Sequence, residues 1–250
     1  MKNNFYNKSI ENIYSKPSLK SEVSTQILYG EKFKILSSNY RWVKIKTYYD
    51  NYIGFIKKNK FYSLFKPTHK VYTLKSRIYK NVKNKFLPSN RFLFFSSEVN
   101  ILNSKKNFAQ YEKNKWVKIK DIKQINHFEK NYSKIIKLFM NTKYLWGGKT
   151  VNGIDCSALI QIYFKYNKQF FPRDTKDQVK FCKKNKHKAF KSGDIIFWKG
   201  HVGLCLNNKE FIHAYGPMKK VLVMPIKKTI KLIKKTANLN IKKISNIKLN

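Results

Sequence analysis

Acidic side chains and arginines are both scarce in this chain of 250 residues. Asp and Glu together number 13 against 54 Lys and Arg, so the formal net charge is +41. Arginine occurs only four times, and lysine lacks the planar fork that binds phosphates specifically. The lysines are spread along the whole chain. We favour the composition of an A/T-rich genome as their origin and expect no nucleic-acid partner; an anionic polymer or acidic membrane surface is the alternative.

Cysteines and long apolar runs are also few. The three cysteines are too widely spaced for a disulfide framework. No apolar run reaches the roughly 18 residues of a membrane-spanning helix, and residues 1–8 lack the apolar core of a secretory signal. These features predict a cytoplasmic protein without an integral membrane segment, in which a catalytic thiol would stay reduced. A periplasmic or cell-wall location is the alternative.

The first half of the chain has the pattern of small β-barrels. Residues 1–126 consist of short runs rich in Tyr, Val, Ile and Phe, separated by turn-forming residues. Closed barrels leave few exposed strand edges, and they suit strands of this length. We predict one barrel over residues 1–66 and a second over residues 67–126, with the boundary near Pro67.

From about residue 127 the apolar spacing becomes helical, which predicts an α+β domain over residues 127–250. One helix is expected to begin at Cys156 and run to about Tyr166. A further helix should follow with Asp174 or Thr175 as its N-cap. Three strands are predicted at residues 193–198, 201–206 and 210–215, the last two as a hairpin. A short helix and a strand over residues 239–247 would end the domain.

Cys156, His201 and His213 are the candidate catalytic residues. A cysteine in the first turn of a helix lies near unpaired N–H groups and the positive end of the dipole, which favours the reactive thiolate. His201 opens a strand and could act as the base, while His213 on the neighbouring strand could orient it. Backbone N–H groups near Cys156 and the Tyr144 hydroxyl are candidates for an oxyanion hole.

The other cysteines and histidines are assigned structural positions. Buried cysteines and satisfied histidines are commoner than catalytic ones, so we expect this of the remaining set: Cys182, Cys205, His69, His127 and His187. The chain has no Cys-x-x-Cys or His-x-His pair, and no metal or cofactor is expected.

Six motifs in order resemble the NlpC/p60 cell-wall cysteine peptidases, which have a papain-like core. They are YLWGG at 144–148, GIDCSAL at 153–159, PRDT at 172–175 with Gln178, SGDIIFW at 192–198, HVG at 201–203 and FIHA at 211–214. The family's usual glycine after Asp-Cys-Ser is Ala158 here, which removes no chemical group from the site. The resemblance implies Cys156 as nucleophile, His201 as base and His213 as orienting residue. It also implies that both β modules are bacterial SH3-like domains.

The resemblance implies a substrate as well. The arrangement is similar to the subgroup that cleaves the γ-D-glutamyl–diamino acid bond of murein stem peptides with a free N-terminal L-Ala. A substrate ammonium needs carboxylates near it, for which Asp155 and Glu31 are candidates. Asp155 could also cap its helix, which is compatible with substrate binding, and Glu31 could instead be an exposed turn residue. The remaining residues expected to line the cleft are Tyr144, Trp146, Ser157, Arg173 and Asp174.

Two other functions are compatible with the sequence. One is an exported hydrolase that acts on intact peptidoglycan. The other is a non-catalytic binder whose SH3-like modules hold an anionic polymer. The pattern leaves open the diamino acid and the oligomeric state.

Overall fold

A computed structural model describes residues 3–185 and 189–248. His187 lies outside the described residues. The chain divides into two compact units, Met1–Phe128 and Glu129–Asn250. The sequence analysis places this boundary at residue 126. Among the described residues, no helix is both long and apolar enough to span a membrane.

The first unit is built from strands only, apart from one short 3-10 turn. Its strands are β1 (Asn4–Phe5), β2 (Ile10–Tyr14), β3 (Val23–Leu28), β4 (Lys32–Ser38), β5 (Trp42–Thr47), β6 (Ile53–Lys57), β7 (His69–Val71), β8 (Lys75–Val82), β9 (Lys85–Phe94), β10 (Glu98–Val99), β11 (Asn103–Lys105), β12 (Phe108–Glu112), β13 (Lys115–Lys118) and β14 (Ile122–Gln124). They form three sheets. The first sheet has the strand order β1-β4-β5-β6-β2-β3.

The first sheet encloses its own core. Strand β5 shows why, because its residues alternate between half-buried and buried positions, as expected when one face of a strand packs inward. The buried cluster comprises Tyr6, Ile13, Ile27, Phe33, Val43, Ile45 and Ile56. This module matches the predicted first barrel, although the sequence analysis missed β1 and β2.

The second β module contains the orders β10-β7-β14 and β11-β12-β13-β8-β9. The sequence analysis missed the long β8–β9 hairpin. Its turn consists of Lys83 and Asn84, whose φ angles are 47° and 65°. Two consecutive positive φ angles make the tight hairpin turn that usually contains glycine. Lysine at the first position conceals this turn in the sequence.

Tyr29 joins the two β modules within this unit. It follows β3 of the first module but lies in the core of the second, among Val71, Ile78, Leu93, Val99, Ala109, Tyr111, Val117 and Ile122. The next residue, Gly30, has φ of 81°, and a Cβ there would lie 2.1 Å from the Glu98 carbonyl oxygen. Only glycine allows the two backbones to approach this closely.

The second unit is the predicted α+β domain. Its elements are α1 (Tyr132–Leu138), β15 (Lys149–Thr150), β16 (Gly153–Ile154), α2 (Cys156–Tyr166), α3 (Thr175–Phe181), β17 (Asp194–Trp198), β18 (His201–Cys205), β19 (Glu210–Tyr215), β20 (Lys220–Pro225), α4 (Ile226–Ala237) and β21 (Lys243–Asn246). The five-stranded sheet has the order β20-β19-β18-β17-β21 and is antiparallel throughout.

Helix α2 is the centre of this unit. Every one of its residues is buried, and its bounds are those predicted. It packs against α1 and strand β18. The sequence analysis missed the edge strand β20. This strand pairs with β19 along its full length. Helix α4 inserts Ile226 and Ile233 into a cluster with Trp198 and Phe211.

Candidate active site

Cys156 is the first residue of α2 and is 4% exposed. Its Sγ lies 3.9 Å from the Gly200 carbonyl oxygen, to which the thiol can donate. Gly200, with φ of 74°, forms the bend between β17 and β18 immediately before His201. The helix start therefore meets the beginning of the strand that carries the candidate base, as the sequence analysis predicts.

His201 and His213 form a hydrogen-bonded pair. The distance between His201 Nε2 and His213 Nδ1 is 2.9 Å. His213 is fully buried and stacks on Tyr215, with ring centroids 4.9 Å apart. This contact uses Nε2 of His201 and leaves its Nδ1 as the nitrogen available to a thiol. The predicted contact between the two histidines is confirmed, while their catalytic roles stay predictions.

The Cys156 thiol and the His201 and His213 imidazoles are uncharged in the structure. Burial raises the pKa of the Cys156 thiol to about 11, and the nearby Asp155 charge adds to this effect. Burial also lowers the pKa of His201 to about 3 and that of His213 to about 4, and for His201 the neighbouring His213 contributes further. The expectation that the helix start lowers the pKa of the thiol is wrong for this state, because desolvation outweighs the dipole.

Gly203 creates the space for the histidine pair. A Cβ at this position would lie 2.4 Å from Phe211 Cζ and 2.8 Å from His213 Cβ. Because β18 and β19 are adjacent, any larger residue would push His213 away from His201. This explains the glycine of the His-Val-Gly motif by close approach of neighbouring side chains.

Asp155 anchors the loop before the nucleophile. Its Oδ1 accepts hydrogen bonds from Ala158 N at 2.8 Å, which caps α2, from Ser157 Oγ at 3.0 Å and from Arg173 Nη1 at 3.0 Å. Its Oδ2 accepts from Arg173 Nη2 at 2.6 Å and from Gly147 N at 3.0 Å. Arg173 Nη1 also donates to Ser157 Oγ at 2.8 Å.

This network joins three of the predicted cleft residues to one another. Asp155, Ser157 and Arg173 are 5%, 6% and 3% exposed, and their polar groups are used within the protein. Five donors surround the two oxygens of Asp155, and one of them, Ala158 N, confirms its capping role. Substrate binding by these three residues stays a prediction. The three residues form a buried support for the YLWGG loop.

The other predicted residues are more accessible. Trp146 is 59% exposed, and Tyr144 is half-buried with its ring against Gly216. Burial and the nearby Cys156 raise the pKa of Tyr144, so its hydroxyl stays protonated. Asp174 precedes α3 but its side chain makes no cap hydrogen bond, and burial raises its pKa.

Glu31 belongs to the first unit and is not the exposed turn residue that was the alternative for it. It is 7% exposed, and its Oε1 accepts a hydrogen bond from Leu28 N at 2.9 Å. The carboxylate thus stabilises the turn that carries Tyr29 and Gly30. Its role in substrate binding stays a prediction.

The sequence analysis missed two supporting residues. Thr175, the first residue of α3, lies against the thiol, and its side chain together with the Val202 backbone favours the thiolate. Gln178 is fully buried and donates to the Ser157 carbonyl at 3.0 Å and to the Pro172 carbonyl at 2.9 Å. Both residues stand within or beside the Pro-Arg-Asp-Thr motif, so the spacing of that motif to Gln178 was the available signal.

The structural assignments of the remaining residues agree with the structure where it describes them. Cys182 and Cys205 are buried and unpaired. His69 contacts the Thr68 hydroxyl at 3.0 Å, and His127 packs against the Tyr72 ring. Asp194, in the Ser-Gly-Asp motif, is fully buried and accepts a hydrogen bond from Lys191 N at 2.8 Å.

Two family models match the chain. Residues 141–237 match the NlpC/P60 family, and residues 9–61 match the bacterial SH3 domain. Residues 141–237 therefore form an NlpC/P60 domain. The first β module is a bacterial SH3 domain, whereas the assignment of the second module as another such domain stays a prediction.

The curated relatives differ in how much of the chain they match. The γ-D-glutamyl-L-lysine dipeptidyl-peptidase of Bacillus subtilis is 34% identical over 100 residues, which are 37% of this chain and 34% of that protein. A probable endopeptidase NlpC homolog of Haemophilus influenzae is matched over 49% of its length. Dipeptidyl-peptidase 6 of Lysinibacillus sphaericus is 26% identical over 81% of this chain and 84% of that protein.

A solved structure shares the fold. The crystal structure of an NlpC/P60 family protein from Bacillus cereus superposes with a TM-score of 0.76 at 17% identity, covering 90% of this chain and 94% of that one. This likeness confirms a mixed α/β fold with an N-terminal β region.

Proposed function

We propose that this protein is a cysteine endopeptidase that hydrolyses the γ-D-glutamyl–diamino acid bond of murein stem peptides with a free N-terminal L-Ala. The observation that carries the proposal is the meeting of the Cys156 thiol with the Gly200 bend, beside the His201–His213 pair. Peptides of this kind arise from peptidoglycan turnover, and we place the reaction in cytosolic recycling.

The geometry suggests how the bond is cleaved. His201 Nδ1 takes the thiol proton as Sγ attacks the γ-carbonyl carbon, and the carbonyl oxygen becomes an oxyanion. His201 then returns the proton to the departing amine, which leaves a thioester on Cys156. A water molecule, deprotonated by His201, attacks the thioester and releases the γ-carboxylate and the thiol. His213 accepts the Nε2 proton of His201 in a hydrogen bond and so keeps Nδ1 facing the nucleophile.

Donors for the oxyanion are available near Cys156. The first N–H groups of a helix have no partner within it. The Ala158 N–H donates to Asp155. The N–H of Cys156 itself is therefore the helix-start donor that lies next to the reacting sulfur. The protonated Tyr144 hydroxyl is the second proposed donor, because Tyr144 lies close enough to Cys156 for the two groups to interact electrostatically.

Asp174 is the proposed ligand of the substrate ammonium. Asp174 follows Arg173, whose guanidinium binds Asp155 beside the nucleophile. Asp174 directly precedes Thr175, which lies against the thiol. A carboxylate next to Thr175 would hold the amino end of a two-residue segment and set the cleavage point.

The substrate proposal also has support from similarity. The Lysinibacillus relative, named a dipeptidyl-peptidase, matches most of the chain and so includes the β region. The Escherichia coli murein DD-endopeptidase and LD-carboxypeptidase matches only 29% of this chain. The broader match favours a dipeptide-releasing enzyme over a hydrolase of cross-links.

The decisive experiment compares L-Ala-γ-D-Glu-diaminopimelate with its N-acetylated form and with glycan-linked stems. We expect release of L-Ala-D-Glu from the free peptide and a rate at least about 100-fold lower from the acetylated one, since acetylation removes the positive charge that would pair with the carboxylate. Equal cleavage of both peptides would refute the free-amine requirement. Cleavage of glycan-linked stems would favour the exported cell-wall hydrolase.

Variants separate catalysis from binding. Cys156→Ala should abolish turnover, while Cys182→Ala, the matched loss of another buried thiol, should retain it. Asp174→Asn should raise KM for the free peptide and leave that for the acetylated peptide unchanged. A folded wild-type protein that cleaves none of these substrates would support the non-catalytic binder.

A further inference from the structure

Tyr215 lies beside the histidine pair and takes no part in the reaction steps proposed above. It is the last residue of β19, directly after the Phe-Ile-His-Ala motif, and it is 4% exposed. Side chains two positions apart on a strand point to the same face of the sheet, so Tyr215 and His213 share a face. This position places an aromatic ring next to the proposed catalytic histidines.

The Tyr215 ring contacts both imidazoles. It is nearly parallel to the ring of His213, with centroids 4.9 Å apart and an angle of 15° between the planes. Its centroid lies 5.3 Å from that of His201, and these two planes are inclined by 60°. Both distances fall within the roughly 4.5–7 Å at which stacked or inclined aromatic rings attract one another. One tyrosine thus packs against both members of the pair.

Hydrogen bonding alone leaves the ring of His213 free to tilt. Its Nδ1 is bonded to Nε2 of His201, whereas its own Nε2 is buried and has no hydrogen-bond partner among the described residues. Rotation of an imidazole about its Cβ–Cγ bond has a broad energy profile, so a bond at one nitrogen does not fix the plane of the ring. A ring stacked on its face does fix that plane, because a tilt would make the two rings collide.

The hydroxyl of Tyr215 is itself held in place. It lies 2.6 Å from Thr236 Oγ1, near the end of α4. Thr236 Oγ1 donates its only proton to the Leu232 carbonyl at 2.8 Å, so Tyr215 is the donor in the bond between the two hydroxyls. The tyrosine is therefore fixed at both ends, by the backbone of β19 and by a side chain of α4.

We propose that Tyr215 is a positioning residue for the catalytic pair, in which the stacked ring sets the plane of His213 and the bond to Thr236 holds the ring. The inference rests on the proposed role of His201 as base, because Tyr215 acts through the two imidazoles. A correctly oriented His213 accepts the Nε2 proton of His201 and leaves Nδ1 for the thiol. Without the tyrosine the pair is less well aligned, and misalignment of a reacting group slows the chemical step.

Kinetics with L-Ala-γ-D-Glu-diaminopimelate test the bond between the two hydroxyls. Tyr215→Phe keeps the ring and Thr236→Val keeps the size of the side chain, but each removes this bond. We expect each to lower kcat about three- to tenfold, as for the loss of one neutral hydrogen bond, with KM unchanged. Because both variants break the same bond, the double variant should be no slower than either single variant. Tyr215→Leu, which also removes the ring, should lower kcat further.

Two matched variants serve as controls. Thr229→Val removes a hydroxyl from the same helix that also donates to the carbonyl four residues back, that of Pro225. Tyr132→Phe removes a tyrosine hydroxyl whose partner is Ser192. Both variants should keep the kcat of the wild type.

Nuclear magnetic resonance of the histidine rings tests the geometry without any substrate. Long-range proton–nitrogen correlation spectra of isotopically labelled protein distinguish the two neutral tautomers. We expect His213 in the wild type to carry its proton on Nε2, since Nδ1 accepts from His201, and to become a mixture of tautomers in Tyr215→Leu. A wild-type protein that cleaves no substrate but shows this change would refute the proposed peptidase activity and still support the positioning of the pair.

Three results would overturn the proposal. They are a kcat that Tyr215→Phe and Thr236→Val both leave unchanged, losses that multiply in the double variant, and a His213 tautomer that is the same in Tyr215→Leu as in the wild type. Far-ultraviolet circular dichroism of each variant identifies unfolding. Thr236 is exposed, so Thr236→Val should fold and keep the test decisive even where Tyr215→Leu does not fold.

Discussion

At the scale of single residues, burial governs the chemistry of this site. The start of a helix favours a thiolate, yet Cys156 has a pKa of about 11 because it is almost fully desolvated. His201, with a pKa of about 3, is a neutral base at physiological pH. The resting site is therefore a thiol beside an imidazole, and the proton must move as the substrate reacts.

The neutral histidines make stability pH-dependent. Their pKa values in the folded protein, about 3 and about 4, lie below the ordinary value of 6.5. The unfolded chain therefore binds more protons between these limits, and the free energy of unfolding should fall as pH drops below about 6.5. Each histidine contributes a slope of up to about 1.4 kcal/mol per pH unit.

Hydrogen exchange of the β17–β19 amides from pH 7.5 to pH 4 measures this loss. His213→Asn should reduce by about one the number of protons that the chain takes up on unfolding at low pH. This holds whatever the substitution does to stability at pH 7.5. A variant with the same slope as the wild type would show that His213 is not buried in its neutral form.

At the scale of elements, the structure explains how loops and strands hold the reacting groups. Asp155 connects the YLWGG loop, the start of α2 and the segment before α3 through Arg173. Gly203 allows β19 to bring His213 against His201. Both depend on atoms that approach closely from elements distant in sequence.

Removal of one member of the buried ion pair should be costly. Asp155→Asn keeps a capping oxygen but leaves the Arg173 charge uncompensated, and we expect a loss of about 3–5 kcal/mol in the free energy of unfolding. Arg173→Met should cost a similar amount, and the double variant less than the sum. The comparison is Lys134→Met, which breaks a partly exposed pair with Glu129 and should cost below about 1 kcal/mol. Additive losses for Asp155 and Arg173 in denaturant unfolding would contradict a coupled pair.

Gly203→Ala should disrupt the histidine pair. The added methyl group would overlap Phe211 and His213, so we expect at least about a tenfold drop in kcat, which corresponds to about 1.4 kcal/mol. Gly216→Ala is the control, because a Cβ there meets only ordinary contacts with Tyr144. Normal turnover by a folded Gly203→Ala variant would show that the close approach is unimportant.

At the scale of the whole molecule, the β modules are expected to unfold together. Tyr29 leaves the first module and fills the core of the second, and Gly30 lies against the Glu98 backbone. Tyr29→Ala should cost about 3–5 kcal/mol, as for other large aromatic residues. Amide exchange should then accelerate in β4–β6 and in β8, β9 and β12 together, while α2 keeps its protection. Acceleration confined to one module would show that the two fold independently.

The sequence by itself determined the local features. Helix α2, the hairpin of β18 and β19 and the division into a β region and an α+β domain follow from apolar spacing, turn residues and capping, which act over a few neighbours. The NlpC/P60 domain was predicted from motif order for the same reason. The sequence does not predict the turn at Lys83 or the edge strand β20, because the strands that pair there impose their conformation.

Only the tertiary structure decided what the buried polar residues do. The sequence shows Asp155 next to the nucleophile, and only the structure shows the five donors, from three separate segments, that surround its carboxylate. The pKa of Cys156 was expected to fall and instead rises, since desolvation depends on everything packed around the sulfur.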